Sequence, residues 1–414
     1  MIQSQSRSTG NALIYAPYFD GHRQMYVYVL SHLLNTIGFK VYVAGNLQEK
    51  TSNNLYLDKI RGDEQAELID TAGYAQHGAA ISLDELRAMQ EQVNASLTIF
   101  PEADHHLSLF NNQLFNKKKR MKGKTIGIFL RPFYFYKKNN TRERLRYFKQ
   151  LPSAWRTDVY LFHEQLLKRF HLLDSALYID ENFVSTHPWT NWLPDVFQGY
   201  VEEIIKSEDP GEKTWIGRVD EFKKRNDRRF IFLYFGTAQG RRGYDLLLKT
   251  AVSQDAAFIH CGLNNPREQY DYDVEELKKT LDKQGRLLET NAFISDTETI
   301  EHFFRSVTHL VLPYRNFWGS SGVMLQALAY GIPVLVPEDG IMGYRVKKYK
   351  LGLTYTEQEG SFEEQLRKFQ NMPAGSFKDP IAAYMHYQSV DQLKKTLTQT
   401  FKNPGAAAEY PAMP

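Results

Sequence analysis

Residues 313–349 read PYRNFWGSSGVMLQALAYGIPVLVPEDGIMGYRVKKY, entered through the apolar run His309-Leu310-Val311-Leu312-Pro313. The pattern is a buried strand, a Gly/Ser loop, a short helix, a second buried strand over 333–337, and a glycine loop opening another helix. That succession is a parallel β-α-β unit. Val323 with Ala327 and Met324 with Leu328 repeat the four-residue spacing of an apolar helix face, and Gly331 before Ile332-Pro333 is its stop. Ser320 or Ser321 is the N-cap, while Gly319 and Gly322 let a ligand approach the main chain closely. Free amides and the positive end of the helix dipole then face one point, so the loop is a candidate phosphate seat. Gln326 is the one polar residue inside the helix.

Outward from this stretch the same alternation continues. Upstream, a strand over 229–235 ends in the loop GTAQGRRGYD and a helix DLLLKTAV, followed by strands at 257–260, 287–294 and 309–312 and helices at 274–283 and 297–305. These strands are unbroken apolar runs, the signature of a parallel sheet covered on both faces. The beginning of the chain repeats the theme with strands at 11–17, 40–44, 97–100, 125–130 and 158–162 and helices at 24–36 and 83–93, while 46–80 is polar and without a clear period. The expected organisation is α/β, with two doubly wound, Rossmann-like domains. Residues 1–190 form the first domain, a Pro-dotted and charged connector spans 191–228, and 229–378 form the second. A helical segment at 379–402 packs back toward the first domain, and 403–414 is a disordered tail. Ligands of open α/β sheets bind beyond the strand carboxyl ends, so the site is expected from loops of both halves. No G-x-G-x-x-G follows the first strand, which argues against a dinucleotide oxidoreductase.

Length and composition agree. A chain of 414 residues supports two cores, and a net charge of +3 gives no global case for nucleic acid. The single cysteine, Cys261, excludes an intramolecular disulfide and fits a reducing compartment. No run approaches the roughly 18 apolar residues of a membrane span, and a cytoplasmic chain is expected.

The second half resembles retaining GT-B glycosyltransferases of the family 4 (glycosyl transferases group 1) type. The loop FGTAQGRRGYDLLL is similar to that family's basic strand-to-helix loop, with Arg242-Gly243 in the Lys-Gly position. The block AFISDTETIEHFFRSVTHLVLPY resembles the elements that end beside the nucleotide, and 313–349 resembles the E-x7-E region with its A-x-x-x-G-x-P-V continuation. Both glutamates of that motif are replaced: Trp318 stands where the first would be and Gln326 where the second would bind ribose. Thr237 likewise replaces the arginine of the diphosphate pair. These departures point to Asn316, Glu338 or Asp339 as substitute donor contacts, or to an unusual donor.

The resemblance implies a hexosyltransferase that moves a sugar from a nucleotide-sugar donor to a carbohydrate or lipid-linked acceptor, with retention, in surface polysaccharide or glycoconjugate synthesis. It implies no metal and no cofactor, the nucleotide sugar being a substrate. The donor-binding set is Arg242, Gly236, Thr237, Gly319, Ser320, Ser321, Gly322 and Gln326, joined by Gly21 and His22 in the first strand-to-helix loop. His105, His106 and Glu102, after the 97–100 strand, are the candidate catalytic residues, one of which orients the acceptor hydroxyl or takes its proton. Asp271-Tyr272-Asp273 has the form of a metal-binding D-x-D, but Asp273 with Glu276 reads as a capping box for the 274–283 helix.

From 117 to 149 the chain carries KKKRMKGK and then Arg131, Lys137, Lys138, Arg142, Arg144, Arg146 and Lys149, interleaved with Phe133, Tyr134, Phe135 and Tyr136. Basic residues among aromatics suit an anionic membrane surface, so peripheral association is expected and nucleic acid is not. The competing readings are a catalytically silent nucleotide-binding relative, motivated by Trp318 and Gln326, and a sugar-nucleotide epimerase on the same fold.

Overall fold

A computed structural model describes residues 10–17, 22–47, 55–62, 66–71, 81–115, 121–130, 167, 172–196 and 208–402. The chain divides into two compact units, one running to Asp195 and taking in the last helix, the other spanning Val196–Ser389.

In the first unit β1 (Gly10–Tyr15), α1 (His22–Thr36), β2 (Phe39–Gly45), α2 (Leu55–Gly62), β3 (Glu67–Asp70), α3 (Leu83–Gln92) and β4 (Ala95–Phe100) come first. They are followed by α4 (Leu107–Phe115), β5 (Lys124–Phe129), β6 (Ser175–Tyr178), α5 (Glu181–Thr186) and β7 (Asn191–Trp192). The seven strands pair in parallel in the order β3-β2-β1-β4-β5-β6-β7. β1 is central, and Ala12, Leu13 and Ile14 on it have no exposed surface, because helices cover both faces.

The second unit contains α6 (Thr214–Arg225), β8 (Ile231–Phe235), α7 (Tyr244–Ser253), β9 (Ala257–Cys261), α8 (Val274–Lys283), β10 (Leu287–Glu289) and α9 (Thr297–Arg305). It continues with β11 (Leu310–Val311), α10 (Gly322–Ala329), β12 (Val334–Pro337), α11 (Gly340–Tyr349), β13 (Gly352–Tyr355), α12 (Ser361–Gln370) and α13 (Lys378–Tyr387). Two parallel ladders, β10-β9-β8 and β11-β12-β13, lie with β11 beside β8. Read across both ladders, the order is again that of a doubly wound sheet. α14 (Val390–Lys402) returns to the first unit, with Leu393, Leu397 and Phe401 buried at four-residue spacing and the Phe401 ring 6.5 Å from Phe39.

Three details differ from the sequence reading. The polar stretch 46–80 holds a helix and an edge strand, α2 and β3, which lack a marked apolar period. Within 191–228, read as a connector, β7 extends the first sheet and α6 is a formed helix of the second unit; its apolar face, including buried Val219 and Phe222, is narrow among charges. Within 379–402, α13 stays in the second unit and only α14 belongs to the first. The 158–162 strand and the 403–414 tail lie outside the described residues.

Helix α11 lies against the end of β12, where a Cβ on Gly343 would sit 1.9 Å from the Glu338 carbonyl. Gly217, in exposed α6, has nothing within 4 Å of that position. Opposite signs are therefore expected in urea unfolding. Gly343→Ala should destabilise by several kcal/mol, of the order seen for overpacking or more (~3), whereas Gly217→Ala should stabilise by about 1 kcal/mol through helix propensity.

Candidate functional site

Each sheet reverses its winding once, between β1 and β4 in the first unit and between β8 and β11 in the second. Loops leaving the carboxyl ends of such a pair diverge to opposite faces and leave a crevice. Glu102, His105 and His106 fall at the first of these places, and Gly236, Thr237, Arg242, Gly319, Ser320, Ser321 and Gly322 at the second.

In the second unit the loop after β8 is stapled from below. Buried Tyr234 donates its hydroxyl to the Thr237 carbonyl and accepts from the Gln239 N–H, both at 3.0 Å. Burial pushes the Tyr234 phenol up, so it stays a neutral donor. The loop then makes a 3-10 turn, Gly240–Arg242, and Gly243 abuts Pro313, where a Cβ would meet the Pro313 carbonyl at 2.4 Å. Arg315 clasps the two loops. Its N–H donates to the Arg241 carbonyl (2.8 Å), and its guanidinium donates to the Gly240 carbonyl (3.0 Å) and to the fully buried Asp245 (3.1 Å).

Arg242 is left over. It is half-buried, its Nη1 lies 3.1 Å from where a Gly236 Cβ would be, and it makes no ion pair or side-chain hydrogen bond among the described residues. A half-buried guanidinium without an acceptor is costly unless something anionic completes it.

On the β11 side, Ser321 is the N-cap of α10. It accepts from the Met324 N–H at 3.2 Å and lies 3.2 Å from the Tyr314 hydroxyl. Ser320 Oγ accepts from Arg345 (2.9 Å), a guanidinium only 1% exposed, reaching in from α11. Trp318 packs its backbone against Gly340, and its carbonyl accepts from the Ile341 N–H at 3.3 Å. Gly322 and Val323 open the helix with N–H groups that have no acceptor four residues back. Gln326 is 6% exposed, and its side chain makes no hydrogen bond among the described residues. Gly331 ends the helix as expected, with its N–H and that of Ile332 returning to the Leu328 and Ala327 carbonyls.

Beneath the β8 loop lies a buried polar cluster. His260 on β9 is fully buried, with Nε2 3.0 Å from the Gly236 carbonyl and Nδ1 3.0 Å from Glu289 and 3.3 Å from the Tyr244 hydroxyl. Lys278 pairs with the same Glu289 oxygen at 2.8 Å. Burial pushes the Glu289 carboxyl up, but hydrogen bonds from His260 and Lys278 outweigh it and hold its pKa down at about 2.

In the first unit, Tyr15, Ala16 and Pro17 after β1 and Pro101, Glu102, His105 and His106 after β4 line a cavity of about 20 Å³, room for one small group. Glu102, 8% exposed, is 3.0 Å from Nε2 of the more open His105. His106 is 5% exposed, its ring against Tyr15 (5.3 Å) and Phe100 (5.4 Å). The structure thus gathers all three candidate catalytic residues at one switch point, with His105 outermost. Gly21 lies outside the described residues, and His22 is described only as the first residue of α1.

The D-x-D reading does not gain a metal role. Asp273 caps α8, accepting from the Glu276 N–H (3.1 Å), and Asp271 pairs with Arg315 (3.1 Å). Glu338 is engaged by Lys347. No group of three potential metal ligands gathers among the described residues. Of the basic stretch, 117–120 and 131–149 lie outside the described residues, and no described helix is long and apolar enough to cross a membrane.

No family model and no curated protein sequence matches the chain. Solved structures do. HepE from Anabaena, solved with UDP and glucose, is similar over 95% of this chain and 99% of its own, with a TM-score of 0.61 at 12% identity. A glycosyltransferase from Rickettsia africae matches over 96% and 98% (TM-score 0.59, 9% identity). WaaG, a glycosyltransferase involved in lipopolysaccharide biosynthesis, matches over 94% and 98% (TM-score 0.57, 14% identity). The fold is GT-B.

The sequence alone missed Arg315, Asp245, Arg345 and the His260 cluster. Their partners lie 16 to 75 residues away, and no local spacing announces them.

Two measurements check the site's construction. Arg315→Ala leaves Asp245 buried without its cation and should cost about 3 kcal/mol in urea unfolding, while Asp271→Ala, at an exposed carboxylate, should change stability by less than about 1 kcal/mol. Glu289 contributes stability that is full above its ordinary value near 4.5 and fades as pH falls toward about 2. The stability gap between the protein and its Glu289→Gln variant should therefore be constant from pH 7 to about 5 and shrink through that lower window.

Proposed function

We propose that the protein is a hexosyltransferase that takes a sugar from a nucleotide-sugar donor and passes it to a carbohydrate or lipid-linked acceptor. The observation that carries this reading is Arg242: a half-buried guanidinium with no acceptor among the described residues, at the switch point of a GT-B half whose neighbouring helix presents free amides. Departure of a nucleoside diphosphate builds negative charge on phosphate oxygens. A guanidinium and the Gly322 and Val323 amides stabilise such charge where it develops. The UDP held by HepE supports a nucleoside diphosphate as the ligand.

In this reading the leaving group's charge is met by a guanidinium and amides, so the transfer requires no metal ion. Retention follows the family resemblance. Gln326 replaces a carboxylate with a neutral amide that both donates to and accepts from a ribose hydroxyl, a weaker contact than a charged one. Glu102 and His105 form the acid-base pair suited to orienting an acceptor hydroxyl or receiving its proton, and His106 shapes their pocket. Synthesis of a surface glycoconjugate, with peripheral attachment to an anionic membrane through 117–149, completes the proposal.

Thermal melting with UDP, GDP and ADP tests it. One of the three should raise Tm; a ligand at 100 times its Kd adds about 2.7 kcal/mol. Arg242→Ala should weaken that ligand by tenfold or more, the value of one charge-assisted contact (about 1.5–3 kcal/mol). If none of the three shifts the unmutated protein, the transferase reading fails. Binding without sugar turnover in the presence of carbohydrate and lipid-linked acceptors would favour a silent relative, which the Trp318 and Gln326 replacements motivate.

A further inference from the structure

The Gly236 carbonyl is held in place from two sides. It lies against Gly262, where a Cβ would come within 2.1 Å of its oxygen, and it sits 3.0 Å from His260 Nε2. A carbonyl only accepts, as does the Glu289 carboxylate, so each ring nitrogen carries a proton and Nε2 donates to the carbonyl. The other face of the imidazole is fixed by Glu289 and Tyr244, which leaves the ring one orientation. Lys278 completes the cluster on Glu289, and the Tyr234 ring packs 5.5 Å from the imidazole.

The consequence lies on the far side of that peptide. No cis peptide is present among the described residues, so the Thr237 N–H points opposite to the Gly236 carbonyl. The carbonyl faces the buried imidazole, and the N–H therefore faces away from it. Among the described residues it has no acceptor: the N–H groups of Gly236 and Ala238 on either side pair with the Cys261 and Leu263 carbonyls, and that of Thr237 pairs with none. Arg242 folds over this same glycine. Gly236, at φ 106, tolerates either sense of the following peptide, so the loop's own backbone does not fix the N–H direction. The histidine does.

Resting on the nucleotide-sugar reading above, we infer that His260 is a positioning residue: by pinning the Gly236 carbonyl it aims the Thr237 N–H at a phosphate oxygen of the nucleoside diphosphate, beside Arg242. The missing second basic side chain of the loop, where threonine stands, is thus replaced by a main-chain donor set from beneath. The device needs a donor at the Nε2 position and nothing else of the ring. Glutamine reaches that position with an amide N–H; phenylalanine fills the space and donates nothing.

Calorimetric titration of the full chain with UDP, GDP and ADP, with melting curves for each variant, decides it. His260→Phe should lose roughly tenfold in affinity for whichever diphosphate binds, the worth of one hydrogen bond to a charged group, while His260→Gln stays within about threefold of the parent. Thr237→Pro, which deletes the N–H without touching the buried cluster, should reproduce the loss. A folded His260→Phe protein with parental affinity overturns the inference, as do equal losses in the Phe and Gln variants, which would mean that the ring only fills space. If His260→Phe does not fold, undiminished binding by Thr237→Pro overturns it instead. Should the parent bind none of the three diphosphates, the transferase reading itself falls, and this inference with it.

Discussion

A parallel sheet covered on both faces has to change its winding direction somewhere, and the chain pays for that reversal with one uncovered notch per sheet. Between β8 and β11 the notch is kept from collapsing by the Arg315–Asp245 clasp, which ties the two exit loops together from below. A fully buried carboxylate is tolerable only with its cation in place and its second oxygen occupied, here by the Asp271 N–H at 2.9 Å. The clasp therefore adds little net stability for its size and mainly fixes geometry. Without it the Gly240–Arg242 turn and the approach to α10 have no common reference.

Against that frame the uncommitted groups stand out. Arg315 and Arg345 are engaged by protein acceptors, whereas Arg242, the Gly322 and Val323 amides, the Thr237 N–H and the Gln326 amide are not. No side-chain atom of Arg242 or Gln326 is among the fully enclosed, unpaired polar atoms of the described residues, so these groups stay open to solvent or to a ligand rather than being sealed in the core. All but Gln326 are donors only, a set that suits an anion better than a cation or an apolar ligand.

Much of this was legible in the sequence where local rules coincide. The helices at 274–283 and 297–305 have N-caps, apolar faces and stops that agree with one another, and the structure gives them those bounds. The Gly/Ser loop before α10 was readable for the same reason. The α6 helix was not: apart from buried Val219 and Phe222 its sequence is mostly charged, so its composition reads as a linker. The Asp273 cap was legible because its partner lies three residues on, whereas the partner of Asp271, Arg315, lies in a loop two strands away in the winding order. Long-range pairs of this kind leave no period to detect, and they are what turns a set of loops into a site.

The polar residue inside α10 fits the same electrostatic account. Gln326 is the fifth residue of α10 and is 6% exposed, with no side-chain hydrogen bond among the described residues, so a carboxylate there would be a buried charge without a described cation beside it. A neutral glutamine avoids that cost. Asn316, next to the clasp, is exposed and held at a positive φ of 51°, a conformation that asparagine adopts more readily than most side chains and that the loop around it has to maintain.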